Sequence, residues 1–253
     1  MLMKPKLLLY VCGVLPALAL MIYGCGGGTS NATTALPETN YYEIETPRGR
    51  MVIRLYDETP GHRDNFKKLV AEHTLDSTLF HRVIAGFMIQ GGDPDSRDED
   101  PMNDGGGGPG YTLPAEVKPG LFHKRGALAA ARQGDQGNPE RRSSGSQFYI
   151  VHGTIFPEEY LGQMEEMLQQ NIPDPAFTFT EEARRAYTTI GGAPNFDGMY
   201  TVFGELVEGF DALDDITRMA TPGGLGQRVP PQVATRPVEA VWMIVRPLPD
   251  YRE

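Results

Sequence analysis

The stretch Phe80-His81-Arg82-Val83-Ile84-Ala85-Gly86-Phe87-Met88-Ile89-Gln90-Gly91-Gly92-Asp93 constrains this chain more than any other. It opens as a strand, can bend at Ala85-Gly86, and ends in a Gly-Gly pair followed by an acid. Residues two apart share a face of a strand. Phe80, Arg82 and Ile84 are therefore expected on one side of a first strand. In a second strand Met88 and Gln90 share one face, and Phe87 and Ile89 the other. Two core strands that happen to carry an arginine and a glutamine would fit this pattern. A desolvated arginine then needs a carboxylate, and the first acid that follows is Asp93. The other reading is an apolar pocket with a few convergent polar groups, the form that small binding sites take.

The chain in order gives many short strands and few helices. Tyr41 to Thr46 and Met51 to Tyr56 alternate around Pro47-Arg48-Gly49 and read as a hairpin. Thr59-Pro60 starts a helix with Phe66, Leu69 and Val70 on one face and His73 at its boundary. Gly126 to Ala131 is a strand of small residues. Small side chains either let an extended peptide approach closely or serve packing alone. Ser146 to Val151 reads as a buried strand, Tyr200 to Val207 as another, and Val238 to Val245 as the last. Between them, Tyr160 to Leu168 and Glu181 to Ile190 have helical spacing, the second with Thr178 and Glu181 as a capping box. Gly209 to Met219 is a further helix. This pattern predicts an all-β sandwich or barrel.

Composition and motifs exclude several chemistries. Lys plus Arg is 23 against 33 for Asp plus Glu, a net charge of −10, which disfavours nucleic acid as a partner. Two cysteines, Cys12 and Cys25, cannot make a disulfide framework. The acids from Asp95 to Asp104 lack EF-hand spacing, and Gly105 to Gly108 is not followed by Gly-Lys-Ser/Thr. The five histidines show no ligand spacing, and neither Gly-x-Ser-x-Gly nor His-Glu-x-x-His occurs. No metal and no cofactor is expected.

Four blocks, in order, resemble the cyclophilin-type peptidyl-prolyl isomerases. Residues 80–93 are similar to that family's Phe-His-Arg-Val-Ile and Phe-Met-Ile-Gln-Gly-Gly-Asp signature. Gly126-Ala127-Leu128-Ala129-Ala130-Ala131-Arg132 resembles its Gly-x-Leu-x-Met-Ala-Asn segment. Ser146-Gln147-Phe148-Tyr149-Ile150 is similar to Ser-Gln-Phe-Phe-Ile. Phe196-Asp197-Gly198-Met199-Tyr200-Thr201-Val202-Phe203-Gly204 resembles Leu-Asp-Gly-x-x-x-Val-Phe-Gly. The resemblance implies a mainly β fold, a closed eight-stranded antiparallel barrel capped by helices. The segment 152–194 is longer than the family's connection and reads as an inserted helical hairpin at the barrel rim. The expected domain is 41–253.

By the same resemblance, Arg82 and Gln90 are the catalytic pair. Phe87, Met88 and Tyr149 form the apolar seat for proline, with Phe196 nearby, and Ala131, Arg132, Gln147 and Tyr200 complete the substrate groove. Ala131 and Arg132 would act through main-chain groups. Asn195 and Tyr200 depart from the family, where tryptophan and histidine are common. The expected partners are proline-containing polypeptides, met by a monomer. A proline-binding module without turnover, or an envelope lipoprotein using 152–194 as an interface, are the competing readings.

Residues 1–24 read as a signal peptide: Lys4 and Lys6 precede an uncharged apolar run, Leu7 to Ile22, shorter than the roughly 20 residues of a spanning helix. Ile22-Tyr23-Gly24-Cys25 resembles a bacterial lipobox, which implies lipidation at Cys25. Ordinary signal cleavage and an uncleaved anchor are the alternatives. Residues 25–40 then form a flexible tether, and the domain faces the periplasm from a membrane of the cell envelope. Cys25→Ser is expected to leave an unacylated precursor, whereas mass spectrometry of membrane-extracted wild type should show an acylated N-terminal cysteine. A mature wild-type protein starting elsewhere and unmodified would refute the assignment.

Overall fold

The computed structural model describes residues 38–172, 174 and 176–252. The expected signal peptide, Cys25 and most of the tether lie outside the described residues. In chain order the strands and helices are β1 (Tyr41–Thr46), β2 (Gly49–Leu55), α1 (Pro60–Ala71), β3 (Arg82–Ile84), β4 (Met88–Gly91), β5 (Thr112–Leu113), β6 (Ala127–Ala130), β7 (Ser143–Ser144), β8 (Phe148–Val151), α2 (Glu158–Asn171), α3 (Glu181–Thr189), β9 (Val202–Glu208), α4 (Phe210–Thr217), α5 (Pro231–Ala234) and β10 (Ile244–Pro247). Short 3-10 helices occupy Pro94–Arg97 and Pro194–Phe196. Among the described residues no helix is long and apolar enough to cross a membrane.

Eight strands form one antiparallel sheet in the order β10-β1-β2-β9-β6-β8-β4-β3, and β5 pairs with β7 alone. The sheet curls round a core that takes Ile44, Ile53, Val83, Ile89, Leu128, Ile150, Phe203 and Val245 from its strands. Helix α1 adds Phe66, Leu69 and Val70, and α4 adds Leu213 and Ile216. The helices thus cover the core as their apolar spacing predicts.

Closure is where the structure departs from expectation. The end strands β10 and β3 are not paired, so the sheet is a curled half-barrel. Irregular chain closes the gap, with one bridge at Leu79–Trp242 and main-chain bonds such as Phe80 N–H to the Val241 carbonyl (2.8 Å). The outer edge of β3 is capped by a loop, since the Val83 amide donates to Thr235 (2.8 Å) just after α5. That loop occupies the edge and protects it as a further strand would. The same irregularity moves Phe80 into the core, away from the face that carries Arg82.

Helices α2 and α3 pack on each other through Leu161, Leu168, Phe179, Ala183 and Tyr187. Phe122 and Met199, from the chain flanking the sheet, join the same cluster. The cap of α3 is Thr180, whose hydroxyl accepts from the Ala183 amide (3.1 Å), rather than the expected Thr178. The shared cluster ties these helices to the sheet. Leu168 is fully buried, so Leu168→Ala is expected to cost about 2–5 kcal/mol. Thermal unfolding of that variant should remain a single transition at lower temperature; a separate early transition would show that α2 and α3 unfold alone.

Candidate active site

Alternation along the strands divides the sheet's two sides. Val83, Ile89, Leu128, Ala130, Phe148, Ile150 and Phe203 face the core, while Met88, Ala127, Ala129, Tyr149, Val151 and Val202 build a second apolar cluster on the other face. One row crosses five strands on that face: Arg82 lies opposite Gln90, Gln90 opposite Tyr149, Tyr149 opposite Ala129, and Ala129 opposite Val202. The β3–β4 hairpin sets this row. Its turn is closed by the Phe87 amide on the Ile84 carbonyl (3.0 Å), with Gly86 at φ 75°, the left-handed position that glycine fills without strain.

A chain of side-chain amides runs inward from the arginine. An Arg82 Nη donates to Gln90 Oε1 (3.0 Å), and Gln90 Nε2 donates to Gln147 Oε1 (3.1 Å). Gln147 Nε2 donates to Asp93 Oδ2 (3.3 Å) and to the Gly107 carbonyl (2.8 Å). Asp93 is fully buried and also accepts from the amides of Asp95 (2.9 Å), Gly105 (2.6 Å) and Gly107 (3.1 Å). Among the described residues Arg82 makes no ion pair. Burial lowers its pKa from the ordinary arginine value, the nearby Tyr200 phenol opposes this, and the guanidinium stays charged.

The aromatic residues stand beside this row. Phe87 and Phe196 are stacked at 4.7 Å, Phe196 and Tyr200 meet edge-on at 5.2 Å, and Tyr149 and Tyr200 do so at 6.1 Å. Met88 and Tyr149 are buried, while Phe87, Phe196 and Tyr200 are partly exposed. The guanidinium of Arg132 lies 4.4 Å over the Tyr200 ring, its Nε donating to the Met199 carbonyl (3.1 Å). A cavity of about 800 Å3 adjoins the site, lined by Gln90, Ala131, Arg132, Gln147 and the glycines from Gly105 to Gly108.

All the sequence-predicted site residues within the described part therefore gather on one face, but three serve differently from expectation. The strand of alanines is buried, and Ala127 and Ala129 leave room for the aromatic rings. The main chain of Ala131 is already engaged, its amide on the Gln147 carbonyl (3.0 Å) and its carbonyl with the Ser144 amide (2.8 Å). Gln147 has both amide hydrogens committed, to Asp93 and Gly107, so it holds Gln90 in place. Arg132 is engaged through its side chain, over the Tyr200 ring and on the Met199 carbonyl.

Sequence reasoning missed a buried polar group behind the rings. His123 Nδ1 lies 2.7 Å from Asp197 Oδ1, His123 Nε2 lies 2.9 Å from the Tyr149 hydroxyl, and the Tyr187 hydroxyl donates to Asp197 Oδ2 (2.6 Å). No spacing links residues 123, 187 and 197. The available signal was Tyr149 itself, a hydroxyl in a buried strand, which must find a partner.

The family profile of cyclophilin type peptidyl-prolyl cis-trans isomerase/CLD matches residues 41–241. A Staphylococcus saprophyticus protein named for peptidyl-prolyl cis-trans isomerase activity is 34% identical over 177 residues, 68% of this chain and 78% of its own length. A Streptococcus pyogenes protein named as a bifunctional phosphatase/peptidyl-prolyl cis-trans isomerase is 35% identical over 184 residues, 70% of this chain and 34% of its own length. The crystal structure of a Cryptosporidium parvum cyclophilin type peptidyl-prolyl cis-trans isomerase superposes with a TM-score of 0.56 at 22% identity, covering 83% of this chain and 97% of the other. A second crystal structure of that protein, in the presence of the dipeptide Ala-Pro, gives 0.55, covering 81% and 97%. The chain belongs to the cyclophilin-type peptidyl-prolyl cis-trans isomerase family.

His81 precedes Arg82 and is buried, which pushes its pKa down from 6.5 to about 4 against a weaker pull from Asp93. Between those values the unfolded chain binds a proton that the folded chain does not. Stability from this residue is therefore full above about pH 6.5 and is lost as pH falls towards 4, about 3 kcal/mol in all. Urea unfolding of wild type and His81→Gln at pH 7 and pH 4.5 should show the wild type losing more stability; equal losses would refute this.

Proposed function

We propose that this chain catalyses cis–trans isomerisation of the Xaa-Pro bond in polypeptides, with Arg82 as the donor that stabilises the twisted amide. The observation that carries the reading is the placement of the charged, half-buried Arg82 in the same cross-strand row as Gln90 and Tyr149. The barrier is amide resonance, about 18–20 kcal/mol. No covalent bond breaks. As the bond twists, the proline nitrogen loses conjugation and regains a basic lone pair. A donor aimed there binds the transition state better than either ground state. Arginine suits this role because it remains charged and presents a rigid fork of donors, only one of which is used on Gln90.

Gln90 has one amide hydrogen on Gln147 and a second for a substrate carbonyl. Phe87, Met88, Tyr149 and Phe196 receive the proline ring, with Tyr200 and Arg132 as a side wall and the glycine-lined cavity taking neighbouring residues of the peptide. The Cryptosporidium parvum protein solved in the presence of Ala-Pro supports a proline-containing ligand. Because Phe87 stacks on Phe196, the substrate proline must settle against that pair or part it. The leader and Cys25, read from sequence, support a role for this activity in the cell envelope, on polypeptides that fold outside the cytoplasm.

Removing one preorganised donor typically costs about 10²–10³ in rate. Arg82→Ala should lower kcat/KM for a proline peptide by about that factor with little change in melting temperature. Arg82→Lys should also be poor, since a point charge does not reproduce the fork. Phe87→Ala should raise KM through lost apolar contact. Near-native activity in folded Arg82→Ala would overturn the mechanism and favour a proline-binding module.

A further inference from the structure

The polar group behind the aromatic cluster is fully specified by its donors and acceptors. Asp197 is buried, and its Oδ1 accepts both the His123 main-chain amide (2.9 Å) and Nδ1 (2.7 Å). A carboxylate only accepts, so His123 carries a proton on Nδ1 and turns Nε2 to the Tyr149 hydroxyl. The Tyr149 hydroxyl, 2.9 Å away, then donates to Nε2. Burial holds the Tyr149 and Tyr187 phenols well above their ordinary pKa, so both stay protonated and both donate. The result is a directed chain, from Tyr149 to His123 to Asp197, closed on the far side by the Tyr187 hydroxyl (2.6 Å).

Its two ends lie in different parts of the molecule. Tyr149 is in β8, in the row with Gln90. Tyr187 is in α3 and packs edge-on against Phe122 (5.6 Å) and Phe179 (5.5 Å). His123 itself is stacked on Tyr149 (6.0 Å) and within 6.1 Å and 6.4 Å of the Phe196 and Tyr200 rings. A single imidazole therefore lies against two rings of the proline seat and the Tyr200 ring of its side wall. Simple packing would not require the hydroxyls: phenylalanine at 149 would fill the same space and leave Nε2 without its donor.

We infer that His123 is a positioning residue for the isomerase site, held in one tautomer and orientation by Asp197 and Tyr187, and that α3 thereby sets the geometry of the proline seat. This rests on the reading of the Arg82 face as the isomerase site. It gives α3 a function in substrate handling, because the Tyr187 hydroxyl donates to the same carboxylate that holds His123. A seat whose floor is tethered loses less freedom when substrate binds.

The test is a double-mutant cycle in the full chain, with Tyr187→Phe, Tyr149→Phe and the pair. Two quantities are read for an Ala-Pro peptide: kcat/KM for isomerisation, and Kd from chemical-shift titration. Each single variant should lower kcat/KM or weaken Kd by about three- to tenfold, the scale of one hydrogen bond. The pair should be no worse than the poorer single variant. Leu168→Ala, which destabilises the same helices without touching the chain of hydrogen bonds, should leave both quantities unchanged. Wild-type values in folded Tyr187→Phe, effects that multiply in the pair, or equal losses in Leu168→Ala would each overturn the inference. If the wild type does not isomerise the peptide but Kd responds non-additively, the isomerase reading fails and the positioning role stands.

Discussion

Side chains alternate across a strand with a period of two, and a curled antiparallel sheet turns that period into an inside and an outside. Here Ile89, Ile150 and Leu128 point inward from neighbouring strands, so Gln90, Tyr149 and Ala129 must point outward together. A one-residue slip in any strand would exchange the sets and bury Gln90 in an apolar core. The register that packs the core is therefore the register that assembles the site. The irregularities fall near the row and not within its centre: β6 shifts against β9 between Leu128 and Ala129, and β2 against β9 between Val52 and Ile53.

Polar groups on this face are held in depth. Arg82 is desolvated without an ion pair among the described residues, and its order comes from an amide relay that ends on Asp93. Asp93 is buried beneath main-chain amides of the glycine loop. A side chain at Gly107 would collide with the Asp93 and Asp95 carboxylates, which explains glycine there. Gly92, at φ 82°, turns the chain so that Asp93 can be inserted. Among the described residues Arg82 is thus without an ion-pair partner, while the Asp93 carboxyl group sits beyond two intervening glutamine side chains.

The helices α2 and α3 are joined to the sheet by polar as well as apolar contacts. They pack on each other through an apolar cluster and the ion pairs of Arg184 with Glu158 and Glu165, and their hold on the sheet includes a buried carboxylate that accepts from three donors. Removing one donor from such a group costs more than the bond contributes when intact. The Tyr187 hydroxyl on Asp197 thus links α3 to the chain that carries His123 and, through it, to Tyr149 in β8.

Local pattern was enough to read most strands and the α1 and α4 faces, since period and turn chemistry are properties of adjacent residues. It set Phe87 with Ile89, whereas the turn before β4 leaves Phe87 beside Met88, and it ran the last strand over Val238 to Val245 where β10 is Ile244–Pro247. The gathering of Arg82, Gln90, Phe87, Met88 and Tyr149 came from the resemblance. The resemblance of four ordered blocks gave the family for the same reason. Other features depend on residues far apart in the chain, and no local pattern carries them. Closure of the sheet depended on whether β3 and β10 pair, and chain from 231 to 243 covers the gap. The duties of Gln147 and Ala131 depended on which of their hydrogen-bonding groups the fold had already used. His123, Asp197 and Tyr187 form one unit only in space. The sequence by itself determined which faces are apolar and which residues can do the chemistry, because those follow from side-chain type and period. Tertiary structure alone decided which donors remain free and which buried groups support them, because a hydrogen bond is a fact about two positions and a sequence shows one at a time.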